Sequence, residues 1–311
     1  MRHSHPHRIK NLDGIPGPIL TPGSDEWRRS MSASKVAAVV GLSPFMSRFA
    51  LWHEMAGNVA RDVESTAMSR GHLLEPAVAD WFAAQHPDWK IIPTGTWTHA
   101  ETPWATATPD RLVLVPGEGA RTLEIKTATY SDDWGAAGSD QIPPGYRCQV
   151  VWSMFVTGAT VGHVAVLLPF LEFREYVIEY DHDEAIFLFE SAAQFLDDLA
   201  QGNAPDLDGS DSTYQTVREL HPDIDDIEVE IADELAVHLA YTKAAAEEAA
   251  TAHTQAKSWV LDAMGTARKA TCNGLPIATR SAKNGGTPYL SLSRSLPTPA
   301  QILASRKEPA A

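Results

Sequence analysis

The chain has 311 residues, 44% of them hydrophobic, enough to bury one large domain or one domain with an appendage. No apolar run approaches the length of a membrane span. Cys148 and Cys272 lie far apart in no Cys-x-x-Cys pattern, which argues against a disulfide scaffold, a cysteine zinc site and an iron–sulfur cluster. The net charge of −15 is unevenly placed: residues 181–240 hold 17 acidic side chains against a single base, Arg218, and the rest of the chain sums to +1.

Residues 1–24 read as a flexible terminus without the hydrophobic stretch of a secretory signal, and its His3, His5 and His7 fit a disordered end better than a metal tract. Ser34 to Val40 begins a helix and Phe49 to Ala56 forms another. Arg70-Gly71 precedes Glu75-Pro76, which leads into a helix over Ala77 to Gln85 that buries Val78, Trp81 and Phe82. Trp97 and Trp104 bracket a strand or turn before Thr108-Pro109-Asp110-Arg111, and the apolar run Leu112 to Val115 follows. After a turn at Pro116-Gly117-Glu118-Gly119, the run Thr122 to Thr127 reads as a second strand. Trp134 falls in a flexible stretch with Gly135 and Gly138, a loop aromatic or core anchor rather than a wedge. A helix over Tyr146 to Thr157, a strand over Gly162 to Leu168 and a partner around Phe173 to Tyr180 complete an α/β sandwich. It is a central mixed sheet flanked by helices, with the acids on edge-proximal strands.

Beyond residue 181 the organisation changes. Asp183 to Ala200 reads as a helix on the core, Gly202 to Asp211 as a polar loop, and Ile231 to Met264 as one long helix or a helical hairpin, with Trp259 and Leu261 making contact at its distal end. Arg268 to Arg294 alternates β-prone runs around Asn273-Gly274 and Asn284-Gly285-Gly286, strong turn signals. The tail 241–311 carries 9 basic and 4 acidic residues, suiting a structural arm, an oligomer contact or a basic clamp.

Residues two apart in a strand share a face, so Glu124 and Lys126 lie together while Leu123 and Ile125 pack behind them. With Asp110 brought alongside, two carboxylates and an ammonium converging on one spot would be costly in a core but make sense around a divalent cation. Mg²⁺ or Mn²⁺ takes hard oxygen ligands and keeps several waters. Asp110 and Glu124 would hold it with the backbone carbonyl of Ile125, and Glu75 would add a carboxylate from a helix. Lys126 would orient an attacking water or stabilise a pentavalent phosphorus, and Gln149 would bind that water or a phosphate oxygen. Taken singly, Glu-x-Lys suits a solvated strand face, Pro-Asp a turn and Glu75 a helix surface. The order and spacing of all four stretches argue for one site.

Further segments fall in the same order: Met31-Ser32-Ala33-Ser34-Lys35 with Val39 to Pro44, then Leu51-Trp52, and Tyr146 to Gly158. Together the chain resembles the YqaJ-like viral recombinase family, lambda-exonuclease-like members of the PD-(D/E)XK nuclease superfamily, over roughly residues 25 to 200. The resemblance implies a restriction-endonuclease-like α/β core in an exonuclease domain at 25–210, with 211–311 as a C-terminal helix-plus-hairpin extension. It implies that Asp110 and Glu124 ligate Mg²⁺, with Mn²⁺ substituting, that Lys126 is catalytic, and that Glu75 and Gln149 share the site. Ser34 would contact a terminal phosphate of DNA. In relatives an arginine upstream of that serine helps bind the 5′ phosphate; here Arg28 and Arg29 stand closer to Ser34 than that pattern expects. Arg111 replaces a frequent glycine, which puts its side chain within reach of the substrate backbone.

The implied activity is a 5′-to-3′ exonuclease on double-stranded DNA ends that leaves 3′ overhangs for a single-strand annealing protein. It would act in the cytoplasm as a homo-oligomer, a trimeric ring being one form. The acidic block would face away from the DNA, or, on a rival view, mimic DNA or dock a basic partner. An endonuclease of repair or restriction is the alternative enzyme. A non-catalytic DNA-end scaffold would show a broken Asp…Glu-x-Lys set, and here the set is intact.

Overall fold

The structure is a computed structural model that describes residues 11–21, 23–60, 66–293 and 295–306. His3, His5 and His7 lie outside the described residues. Two compact units divide the chain, Met1–Ile224 and Asp225–Ala311.

In the first unit the elements run β1 (Ile15–Pro16), α1 (Asp25–Arg29), β2 (Met31–Ser32), α2 (Ala33–Val39), α3 (Arg48–Ala56) and α4 (Thr66–Gln85). Strands β3 (Lys90–Pro93), β4 (Trp97–Thr98), β5 (Ala105–Ala107), β6 (Arg111–Val115) and β7 (Gly119–Thr127) follow. Then come α5 (Pro144–Thr157), β8 (Val161–Leu168), β9 (Glu172–Glu179), α6 (His182–Gln201) and α7 (Asp211–Leu220). The five-stranded sheet has the order β3-β6-β7-β8-β9. Within this sheet only β7 and β8 pair in parallel, and α5 lies in the crossover between them. A smaller sheet, β1-β4-β5-β2, feeds β5 toward Asp110.

Alternation along β7 sorts its side chains. Leu123 and Ile125 join Val113, Ala165, Val78 and Phe82 in the core beneath α4, as the period of two requires. Val164 and Val166 of β8 point the other way, into the core that α2, α5 and α6 cover. β8 is buried on both faces and is accordingly apolar almost throughout. Close approach of α5 to this sheet depends on Gly162, where a Cβ would stand 2.6 Å from Val150 Cγ1 and 3.1 Å from Thr122 Oγ1. The fold is therefore α/β, a central mixed sheet flanked by helices, with a helix-and-strand extension.

Several expectations are corrected. Leu12 is buried and Ile15–Pro16 pair with Thr98 and Trp97, so residues 11–16 are tied to the core rather than forming a loose terminus. The helix bearing Glu75 starts at Thr66, and Pro76 sits inside it. Trp81 is 41% exposed, stacked on Phe173 at 5.2 Å between ring centroids rather than buried. Trp134 is a buried core anchor against Tyr146 and Tyr176, because Gly135 lends its carbonyl to the Tyr176 hydroxyl at 2.8 Å and fixes the stretch expected to be flexible. Glu124 lies on the central strand of five, not on an edge-proximal one. The units divide after Ile224 rather than at 210, since α7 packs on α3 and Thr213 donates to Ser47 Oγ at 2.7 Å.

The second unit holds α8 (Asp233–Met264), one unbroken helix, then β10 (Lys269–Cys272), β11 (Leu275–Ser281), β12 (Tyr289–Leu292) and α9 (Pro299–Ala304). The three strands form an antiparallel sheet. Asn273 and Gly274 both have positive φ (52° and 85°), the conformation that closes a two-residue hairpin, as the Asn-Gly signal predicts. Trp259 is 65% exposed, contrary to the contact expected of it. Among the described residues no helix is long and apolar enough to cross a membrane.

Candidate active site

The site forms where the β6–β7 ladder ends. Arg111 pairs with Leu123, and beyond that point the backbone of β7 loses its β6 partner. Asp110, the residue before β6, fills the gap with its side chain: Ile125 N–H donates to Asp110 Oδ2 at 2.6 Å. A residue's N–H and C=O leave a strand on the same side, so the Ile125 carbonyl also faces this end of the ladder. Glu124, two residues before Lys126, shares with it the face that α5 covers.

Glu124 is 5% exposed, yet its carboxylate is satisfied, because Lys126 Nζ and Gln149 Nε2 both donate to the same oxygen, Oε1. Gln149 reaches it from the second turn of α5, and so depends on the approach that Gly162 allows. Tyr146, one turn earlier, places its ring 5.1 Å from Lys126 Nζ. Sequence reasoning gave Tyr146 no role at the site; its spacing of three from Gln149 on a helix was the available signal.

Burial and the negative charge of Glu124 push the Asp110 carboxyl up to about 8, against the opposing pull of Lys126 and the Ile125 N–H. Burial alone would lower the Lys126 pKa, but Glu124 and Asp110 outweigh it and hold the ammonium above its ordinary value. The centre is therefore two acids and one base in a confined volume, where burial first and Glu124 second raise the Asp110 carboxyl.

Glu75, on α4, does not stand free beside these acids. Its Oε1 accepts from Arg111 Nη1 at 2.7 Å, and Arg111 Nη1 also donates to the Asp110 carbonyl at 2.5 Å. Arg111 is thus a bracket between Glu75 and the backbone of Asp110. The negative charge of Glu75 still contributes to raising Asp110.

Ser34 is exposed at the start of α2, with Ser32 and Ser34 hydroxyls 3.0 Å apart. Arg28 and Arg29 end α1 and line a cleft of about 590 Å³ with Asp25, Met55, Trp104 and Leu196. None of Glu75, Asp110, Glu124, Lys126 and Gln149 lines that cleft. Lys35, buried beneath α1, donates to the carbonyls of Trp27 (2.5 Å) and Ser30 (2.7 Å) and so anchors the helix that carries them.

Among the described residues no group of three or more His, Cys, Asp or Glu side chains is placed to hold a metal ion. The donor set that remains, two carboxylates and a strand carbonyl, suits a hard cation that keeps several of its waters. An acid raised by a neighbouring carboxylate is also the electrostatic condition a divalent cation would relieve.

Residues 25–160 match the YqaJ-like viral recombinase domain. The chain is 28% identical over 207 residues to the uncharacterized protein YqaJ of Bacillus subtilis (strain 168), covering 63% of each chain. It thus spans less than two thirds of that relative's length. Among solved structures it is similar to an alkaline exonuclease from Laribacter hongkongensis, with 21% identity, a TM-score of 0.46, and coverage of 56% of this chain and 89% of that one. A phage related exonuclease from Haemophilus somnus 129PT is similar at 13% identity and a TM-score of 0.41, covering 56% of this chain and 96% of that one.

Proposed function

We propose that this chain, whose residues 25–160 match the YqaJ-like viral recombinase domain, is a metal-dependent deoxyribonuclease that degrades one strand of duplex DNA from its ends, 5′ to 3′. The observation that carries the reading is the convergence of Lys126 and Gln149 on one oxygen of Glu124, with Asp110 held alongside by the Ile125 N–H. Asp110, Glu124 and the Ile125 carbonyl would hold Mg²⁺, or Mn²⁺ in its place; when bound, the cation supplies Lewis acidity toward the phosphate and a more acidic water.

The chain's own residues do the rest. Lys126, kept cationic by the two acids, stabilises negative charge growing on the phosphate oxygens. Gln149 donates its amide to Glu124 in the resting site and turns to the attacking water or a phosphate oxygen when DNA is seated. Attack at phosphorus breaks the bond to the 3′ oxygen of the terminal nucleotide, leaving a 5′ phosphate on the shortened strand. Arg111 holds Glu75 and the Asp110 backbone in place, which makes it a positioning residue. Ser34, Arg28 and Arg29 belong to recognition of the DNA end. The 3′ overhang would pass to a single-strand annealing protein, and a ring of copies would keep the enzyme on its strand.

The test is digestion of linear duplexes bearing a 5′ phosphate or a 5′ hydroxyl, each strand labelled separately, with and without Mg²⁺. Mononucleotides released from the 5′ end only with metal support the reading. Equal attack on a closed circle would make the enzyme an endonuclease, and an undiminished Lys126→Ala variant would move the site elsewhere.

A further inference from the structure

The second unit carries a feature that the nuclease chemistry leaves unused. Every residue from 221 to 256 is exposed. Within that stretch Ile227, Val229 and Ile231 are 72%, 74% and 54% exposed and alternate with Glu228 and Glu230. Apolar and acidic residues in a period of two are the pattern of a strand with one face covered, yet this segment pairs with no strand. Helix α8 continues in the same condition: of its 32 residues only Met264 is buried, while Leu235 and Leu239 on one side of the helix, and Val237 and Tyr241 on the opposite side, are exposed. A helix in water draws most of its stability from packing, and among the described residues of the second unit little packs on this one.

Charge says what the covering surface is. Residues 225–234 carry six carboxylates (Asp225, Asp226, Glu228, Glu230, Asp233 and Glu234) and no base. Residues 265–306 carry six bases, among them Arg268, Lys269, Arg280 and Lys283, and no acid. The acids exclude nucleic acid as the occupant. Nor does one copy bring its own two ends together, since 32 helical residues at 1.5 Å each hold them roughly 48 Å apart. A second copy lying antiparallel along α8 joins acidic to basic at both ends, an isologous contact. Small side chains at Ala244, Ala245, Ala246, Ala249 and Ala250, midway along α8, let the two axes come close.

We infer that α8 pairs antiparallel with α8 of a second copy, and that the acidic, strand-patterned segment Asp225–Ile231 of each copy lies along the basic three-stranded sheet of the other. The receiving edge is β10, where Lys269 and Thr271 are exposed. Ile227, Val229 and Ile231 supply the apolar side of the added strand, as in strand addition to an open sheet edge. This pairing stands independently of the nuclease reading.

Sedimentation velocity on the full chain tests it, with E228K/E230K, R268E/K269E, the four substitutions combined, and V229D. The changed side chains are exposed, so far-UV circular dichroism should report unchanged helix in all four. Either charge reversal, and V229D, is expected to lower the assembly mass. The combined variant, with both charges exchanged, should regain the wild-type mass. A wild-type mass that neither reversal lowers, or a combined variant that stays at the lower mass, would overturn the pairing.

Discussion

Substituting Lys126→Ala separates catalysis from architecture at the proposed site. The Lys126 side chain is 18% exposed and that of Glu124 6%, so the pair counts as buried. Removing one partner of such a pair costs about 3–5 kcal/mol, because the other charge is left uncompensated. Asp110 retains its proton up to about 8, which at neutral pH leaves Glu124 as the principal orphaned charge and favours the lower end of that range. At about 2–4 °C per kcal/mol for a domain of this size, the metal-free variant should melt about 6–12 °C below the wild type. A divalent cation at a hundredfold excess over its Kd returns about 2.7 kcal/mol. The Mg²⁺-induced rise in Tm should be larger in the variant than in the wild type, since Lys126 no longer competes for Glu124. Cleavage, by contrast, should stay at least about 10²-fold down at saturating metal. Thermal unfolding with and without Mg²⁺, beside single-turnover digestion of a labelled duplex, measures both. A variant that cuts at the wild-type rate refutes the catalytic role, and one with an unchanged metal-free Tm refutes the buried pair.

Asp110 has a folded pKa above its unfolded one, so its contribution to stability is complete below the unfolded value near 3.8 and is lost as pH rises toward about 8. Metal-free wild type should therefore lose stability across that window relative to Asp110→Asn, and Mg²⁺ should abolish the difference; parallel Tm–pH curves without metal would contradict this. Burial raises the Glu175 carboxyl, but hydrogen bonds from His163 (2.8 Å) and His86 (2.7 Å) outweigh it and hold the acid below its ordinary value. Glu175→Ala should cost about 2–3 kcal/mol in denaturant unfolding at pH 7. That deficit should shrink as pH falls through the folded value of Glu175, and a pH-independent deficit would assign it to packing alone. Gly162→Ala places a methyl against Val150 and Thr122, costs about 1–3 kcal/mol, and shifts α5 so that Gln149 leaves Glu124. Its cleavage rate at saturating metal should fall further than its stability explains, whereas a rate unchanged in the folded variant would detach Gln149 from the chemistry.

The strand–turn–strand around Asp110 and Glu124 was legible from the residues because alternation with a period of two is local, and so was the Asn-Gly hairpin of the extension. The grouping of Gln149 with Glu124 was also anticipated, from the order of segments rather than from any contact a linear pattern can express. What the residues could not show is where long side chains end. Arg111, expected to reach the substrate backbone, donates to Glu75, and Arg28 and Arg29 line a cleft with Asp25, Met55 and Trp104. Trp81 and Trp259 were expected to be covered and are not, since helical periodicity names a face without naming what lies on it.

Composition and periodicity by themselves determined the class of fold, the order of its elements and the shared face of Glu124 and Lys126, because each of these depends on neighbours within a few positions. Only the tertiary structure decided that β7 lies at the centre of its sheet, that its ladder with β6 ends one residue before Glu124, and that the Asp110 side chain takes the vacated backbone position. Those facts arise from the pairing of β7 with β8 across the α5 crossover and from the register at which the β6–β7 ladder stops, neither of which a linear pattern fixes. The raised pKa of Asp110 has the same origin, burial beside a carboxylate that only folding brings near.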